Sequence, residues 1–163
     1  MIIKSRNVLS NKENKQLAAD LLNVLGEQAQ TFFNGKDKLE KIKTEKGTFV
    51  VKDKKIWFFQ WKNQFLPSIH CLRESKLLAH KVVVDVGAIK FVLNGADIML
   101  PGIVYFDEII EKGDFVVVRE EKADTIIAVG ISLISHKDFS KTNKGKAVRV
   151  INHLMDEIWN FRL

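Results

Sequence analysis

One cysteine, Cys71, and two prolines, Pro67 and Pro101, are all that 163 residues contain of the residue types that pin a chain covalently or by ring closure. The lone thiol excludes an internal disulfide and fits a reducing compartment. No run approaches the roughly 20 apolar residues of a membrane-spanning helix. Met1-Ile2-Ile3 is too short before Lys4 to serve as a secretory core, so a cytoplasmic protein with no membrane partner is expected. Catalytic equipment is equally sparse. His70, His80, His136 and His153 have no metal-ligand spacing with one another, and His70-Cys71, read as neighbours on a strand, would point to opposite faces. The chain carries no phosphate-binding loop, no dinucleotide fingerprint and no nucleophile elbow. Asp107, Glu108 and Glu111 read as a solvated loop face. The expectation is a protein that is not an enzyme, with no cofactor and no metal.

What is present is globular: 46% hydrophobic and 28% charged residues, enough for one good core or two modest ones. The net charge of +6 is unevenly placed. Residues 1–80 carry 15 Lys+Arg against 8 Asp+Glu, and residues 81–163 carry 11 against 12. Attraction to a polyanion is therefore expected mainly from the first half. There, Lys36 to Lys62 interleaves lysines with Phe49, Trp57, Phe58, Phe59 and Trp61, a mixture that can hold phosphates by charge and bases by stacking. Alternation along strands buries about half of such side chains, which favours core packing for Trp57 and Phe58. The lysines are the functional choice, with Lys52, Lys54 and Lys55 as electrostatic RNA contacts.

Ser10 and Glu13 have the spacing of a capping box, followed by a helix to about Phe33. Its apolar positions are Ala18, Leu21, Leu22, Leu25, Ala29 and Phe32, and Asn34-Gly35 would end it. Strands are predicted around Leu39 to Lys43, Thr48 to Val51, Lys55 to Trp61 and Phe65 to Cys71. This describes a helix on a small antiparallel meander. A boundary falls between Arg73 and Lys81, dividing the chain into a basic domain over residues 1–78 and a second domain over 79–163.

In the second half, Val84 to Val104 holds two Gly-Ala steps eight residues apart, then Pro101-Gly102. Asp85 can cap a helix opening at Gly87-Ala88, with Ile89, Val92 and Leu93 on its buried face and Asn94-Gly95 as its stop. Phe91 is also assigned to the core. Ala96 to Leu100 reads as a strand closed by Pro101-Gly102. A glycine and an alanine at the helix start let another backbone, a sugar or a base edge approach, and the Asp85 carboxylate makes a hydroxyl or base edge a better guest there than a phosphate. Downstream lie Gly113-Asp114 before a strand Phe115 to Arg119, Ala128-Val129-Gly130 in the next strand, and Asn143-Lys144-Gly145 leading to His153, Asp156 and Trp159.

These motifs resemble the signature of the PUA domain, a small pseudo-β-barrel. Gly87 to Met99 with Pro101-Gly102, and the aromatic run before Pro67, resemble the translation-associated PUA family that includes the multiple-copies-in-T-cell-malignancy protein and the N-terminal part of ligatin. The resemblance implies an α+β protein whose RNA groove is lined by Gly87, Ala88, Lys90, Met99, Leu100, Pro101 and Gly102. It further implies RNA partners, tRNA or ribosomal RNA, on the small ribosomal subunit, and a partner like the density-regulated protein. About 80 residues before the module are too few for a modification enzyme's catalytic domain. Other readings are an RNA-binding accessory that delivers tRNA or guide RNA to a modification enzyme, a small unrecognised enzyme, and a protein-interaction adaptor with a vestigial RNA groove.

Overall fold

The structure, a computed structural model, describes residues 1–32 and 37–163, with the backbone alone for Phe32. The expected helix end at Phe33, its Asn34-Gly35 stop and Lys36 lie outside the described residues. The chain forms two compact units, Met1–Leu78 with Glu157–Leu163, and Ala79–Asp156.

The first unit runs β1 (Ile3–Val8), α1 (Asn11–Leu25), β2 (Glu40–Thr44), β3 (Gly47–Lys52), β4 (Lys55–Trp61), β5 (Gln64–Pro67) and α2 (Ile69–Ser75). Its strands form one antiparallel sheet in chain order. The capping box is realised: the Glu13 N–H donates to Ser10 Oγ at 3.3 Å and the Ser10 N–H to Glu13 Oε2 at 2.8 Å. The α-helix is shorter than expected. Gly26 takes φ +64°, and a 3-10 helix continues over Gly26–Phe32. The buried stripe is Leu17, Leu21 and Leu25, whereas Leu22 is exposed. Asp20 is buried on the same stripe, where its carboxylate accepts from Gln16 Nε2 at 3.0 Å and from the Phe65 N–H at 2.9 Å. That second bond ties α1 to β5.

Two elements depart from the sequence reading. β1 was not anticipated, because an almost fully exposed edge strand shows no apolar alternation. The strand expected to reach Cys71 stops at Pro67. Ser68 then caps α2 by accepting the Cys71 N–H at 3.3 Å, while its hydroxyl donates to the Ile56 carbonyl at 2.7 Å. His70 and Cys71 therefore sit on a helix, and both are buried. Burial pushes the Cys71 thiol well above its ordinary range, the mark of an inert core cysteine.

Ile56, Trp57, Phe58 and Phe59 are all buried, so both faces of β4 are covered along these four residues, and Gln60 beyond them is exposed. With Phe49 buried as well, the aromatics of this region are core residues, Trp61 being the half-buried exception. The helix Glu157–Asn160 packs against β4 too. Trp159 stacks on His70 with centroids 4.1 Å apart and planes 10° from parallel, and its carbonyl lies 2.9 Å from His70 Nε2. The Arg73 guanidinium lies 5.5 Å from the Trp159 ring centroid, and the Leu163 N–H donates to the Lys54 carbonyl at 2.9 Å. The last seven residues thus complete the first unit.

Burial holds the His70 pKa below its ordinary value against the opposing bond to the Trp159 carbonyl, with the charges of Arg162 and Lys55 adding to the effect and that of Glu74 opposing it. The unfolded chain then binds a proton more readily than the native one, so stability is full above about pH 6.5 and is lost as pH falls below it. The urea midpoint of the first unit is expected to drop between about pH 7.5 and about pH 5.5, and to flatten in His70→Gln. Tryptophan fluorescence checks this cleanly, since Trp57, Trp61 and Trp159 all lie in this unit. An equal slope in the variant would refute it.

The second unit comprises β6 (Lys81–Val84), α3 (Ile89–Val92), β7 (Ile98–Met99), β8 (Ile103–Phe106), β9 (Phe115–Glu120), β10 (Ile126–Ser132), α4 (His136–Phe139) and β11 (Lys146–His153). The sheet order is β7-β11-β10-β9-β6-β8, with β6 and β9 parallel. The 3-10 turn Leu100–Gly102 joins the two edge strands, curling the sheet into a near-barrel around Val82, Val84, Phe106, Val116, Val118 and Val148. The expected strand Ala96 to Leu100 shortens to two residues, because Pro101 has no N–H to extend a ladder and its fixed φ favours the turn. Mixed in this way, the two units make an α+β protein.

Candidate nucleic-acid interface

The candidate groove is built where the chain leaves β6 and where it enters β8. Asp85 opens the 3-10 turn Val86–Ala88, its Oδ1 accepting the Ala88 N–H at 2.9 Å. The Asp85 N–H donates to the Gly102 carbonyl at 2.9 Å, which brings the two turns together. Their contact sets the residue types. A Cβ on Gly102 would stand 3.2 Å from the Ala88 Cβ, tighter than ordinary packing allows, so a glycine faces an alanine here.

The helix-start donors are mostly spent inside the protein. Val86 N–H reaches Glu121 Oε1 at 3.2 Å and Ala88 N–H is held by Asp85, whereas the Gly87 N–H has no partner among the described residues. With two carboxylates at this turn, a phosphate is disfavoured, and a hydroxyl or carbonyl acceptor suits the remaining donor better.

Of the expected groove residues, Gly87, Lys90, Met99 and Pro101 are exposed, Ala88 and Gly102 are half-buried, and Leu100 is buried at 4% exposure. The Leu100 side chain belongs to the core, so only its backbone could reach a ligand. Phe91, assigned to the core from sequence, is 56% exposed, with Lys90 Nζ 5.0 Å from its ring centroid. The helical stripe that buries Val92, with Ile89 and Leu93 packed beside it, leaves Phe91 off the buried face. That angular argument was available in the sequence. Val86, Phe91 and Met99 are each exposed on this unit, and the Lys90 amine lies against the Phe91 ring, a pairing suited to a base or ribose flanked by a phosphate.

The three lysines proposed as electrostatic contacts lie in the first unit, at the β3–β4 turn. Lys52 pairs with Asp37 at 2.8 Å and sits 4.3 Å from the Trp57 ring centroid, and Lys55 pairs with Glu74 at 2.6 Å. Lys54, at φ +64°, forms no ion pair among the described residues. Among those residues, no group of three or more His, Cys, Asp or Glu side chains is arranged to hold a metal, and no helix is long and apolar enough to cross a membrane.

A near-barrel with a Gly-Ala turn packed on a Pro-Gly turn, following a helix-on-sheet unit in the chain, is the geometry of a two-domain PUA protein. Residues 80–154 match the PUA domain and residues 2–75 the Pre-PUA-like domain. The chain is 36% identical over 162 residues to an uncharacterized protein of Methanocaldococcus jannaschii, covering 99% of each. It is 35% identical to translation machinery-associated protein 20 of Saccharomyces cerevisiae, covering 77% of this chain and 74% of that one. A hypothetical protein of Pyrococcus horikoshii has a crystal structure that superposes with a TM-score of 0.82 at 37% identity, covering 95% of this chain and 98% of that one. The chain belongs to the family of PUA proteins that contains translation machinery-associated protein 20 and the malignant T-cell-amplified sequences.

Proposed function

We propose that this is a non-catalytic, cytoplasmic RNA-binding protein of the translation machinery. Its PUA groove takes the acceptor end of tRNA and its basic first unit contacts RNA of the small ribosomal subunit, during initiation or recycling. A protein like the density-regulated protein is the partner this role calls for. The observation that carries the reading is the solvent-facing set Gly87, Lys90, Phe91 and Met99 beside the Ala88–Gly102 contact, in a chain whose relatives carry translation in their names. The test is sedimentation with purified small subunits, together with binding of tRNA with an intact or a trimmed 3′ end. Association with both, weakened by trimming, is expected. Absence of both, with a modification enzyme captured instead, would replace this reading with delivery of RNA to that enzyme. A protein partner captured without any RNA affinity would make the chain an adaptor.

Salt dependence separates the lysines. In single-stranded contacts the slope of log K against log salt changes by about 0.7 per neutralised phosphate. Because Asp37 and Glu74 already engage Lys52 and Lys55, their replacement by Gln is expected to leave the slope unchanged, while Lys54→Gln reduces its magnitude by up to about 0.7. A full loss for all three would show that the ion pairs open when RNA binds.

A further inference from the structure

The first unit carries a second concave site, set by strand register. Ser5 stands opposite Lys43, Lys43 opposite Thr48, and Gln60 opposite Phe65, while the pairing of Phe49 with Phe59 places Thr48 beside Gln60. Residues opposite one another in antiparallel strands share a face, so one row of side chains crosses all five strands. The adjacent row on that face includes Val50 and Phe58, both fully buried. Beyond them, at the first turns of α1, a cleft of about 270 Å³ opens between Glu13 and Gln16 on one side and Lys43, Thr48, Gln60 and Phe65 on the other.

Its polar groups are unequally engaged. Lys41 is paired with Glu13, and the Gln16 amide nitrogen is given to Asp20. The side chains of Lys43, Thr48 and Gln60 have no hydrogen-bond partner among the described residues. The cleft therefore offers a free cation, a hydroxyl, an amide and the Gln16 carbonyl around a half-buried phenyl ring. It is smaller than the roughly 300–1,000 Å³ of drug-sized pockets, which suits a single ring system. Glu13 stays ionised down to about pH 2 through its bonds to Lys41 and Ser10, so an anionic group is directed away from it toward Lys43.

We propose that this cleft receives one unstacked nucleotide of a single-stranded RNA segment, its phosphate on Lys43, its base edge on Thr48, Gln60 and Gln16, and its ring against Phe65. The assignment rests on the RNA-binding reading above and adds a contact in the other unit. Paired donors and acceptors around an apolar ring surface are the chemistry by which extruded bases are read.

The experiment is an NMR titration of the isotope-labelled full chain with each nucleoside monophosphate, with inorganic phosphate, and with short single-stranded oligonucleotides. At least one nucleotide is expected to shift the side-chain amide signals of Gln16 and Gln60. Lys43→Gln and Gln60→Ala, both at surface positions that should fold, are each expected to weaken that binding about tenfold, as loss of a hydrogen bond to a charged or buried group does. Lys112→Gln, exposed in the other unit and outside the groove, should leave it unchanged. The proposal is overturned if inorganic phosphate reproduces every shift, if neither variant changes the affinity, or if free nucleotides bind while oligonucleotides do not. RNA binding that is lost in Ala88→Glu but indifferent to Lys43→Gln and Gln60→Ala would remove the cleft and leave the groove standing.

Discussion

Phe58→Ala is expected to cost the first unit about 3–5 kcal/mol, the loss typical of truncating a buried phenylalanine. Phe58 has no exposed surface, pairs with Val50 on one side and Pro67 on the other, and meets Trp57 edge-on at 6.4 Å between ring centroids. Small domains hold roughly 5–15 kcal/mol in total, so this single change removes a large part of the unit's stability. Urea titration followed by tryptophan fluorescence measures it, and the far-ultraviolet signal reports whether the second unit unfolds with the first. A loss below about 1 kcal/mol would mean that the packing described around β4 does not exist in solution.

Ala88→Glu is expected to lower RNA affinity at least about tenfold, or ~1.4 kcal/mol, by adding bulk and negative charge where Asp85 and Glu121 already concentrate it. Lys112→Gln, at an exposed position that is not one of the groove residues, is the matching control and should bind RNA nearly as the parent does. Filter binding or fluorescence anisotropy at fixed salt checks both, with circular dichroism to confirm that they fold. If a folded Ala88→Glu binds normally, RNA does not enter by this turn.

Local chemistry decided what could be read from the residues alone. The capping box at Ser10 and Glu13 and the Asp85 cap were legible because each is a short-range bond between named side chains and nearby N–H groups. Gly26 carried the stop of α1, but the apolar spacing on either side of it reads through, and only its positive φ shows that the helix ends there. The start of α2 was hidden because Ile69, His70, Cys71 and Leu72 are all buried, so a short helix and a strand leave the same apolar run. The turns at Gly87-Ala88 and at Pro101-Gly102 were legible, because glycine and proline act there sterically. Phe91 was misplaced by weighing its hydrophobicity over its angle on the helix, and Leu100 by counting along a motif whose side chain turns inward. The cleft beside Lys43 could not be read at all without the register of five strands, which is a tertiary property.

The return of Glu157–Leu163 to the first unit has a consequence for the order in which the molecule is made. Of the two units, the one begun first is completed second, since His70 gains its Trp159 cover only after every residue of the second unit has left the ribosome. Until then a nascent chain carries a first sheet with α2 and one side of β4 unsheltered, the kind of exposed apolar surface on which chaperones act. Ribosome-bound chains tethered so that Glu157–Leu163 is either held inside the exit tunnel or extruded beyond it would differ in this respect, with protection of the first unit from protease rising only once that segment has emerged.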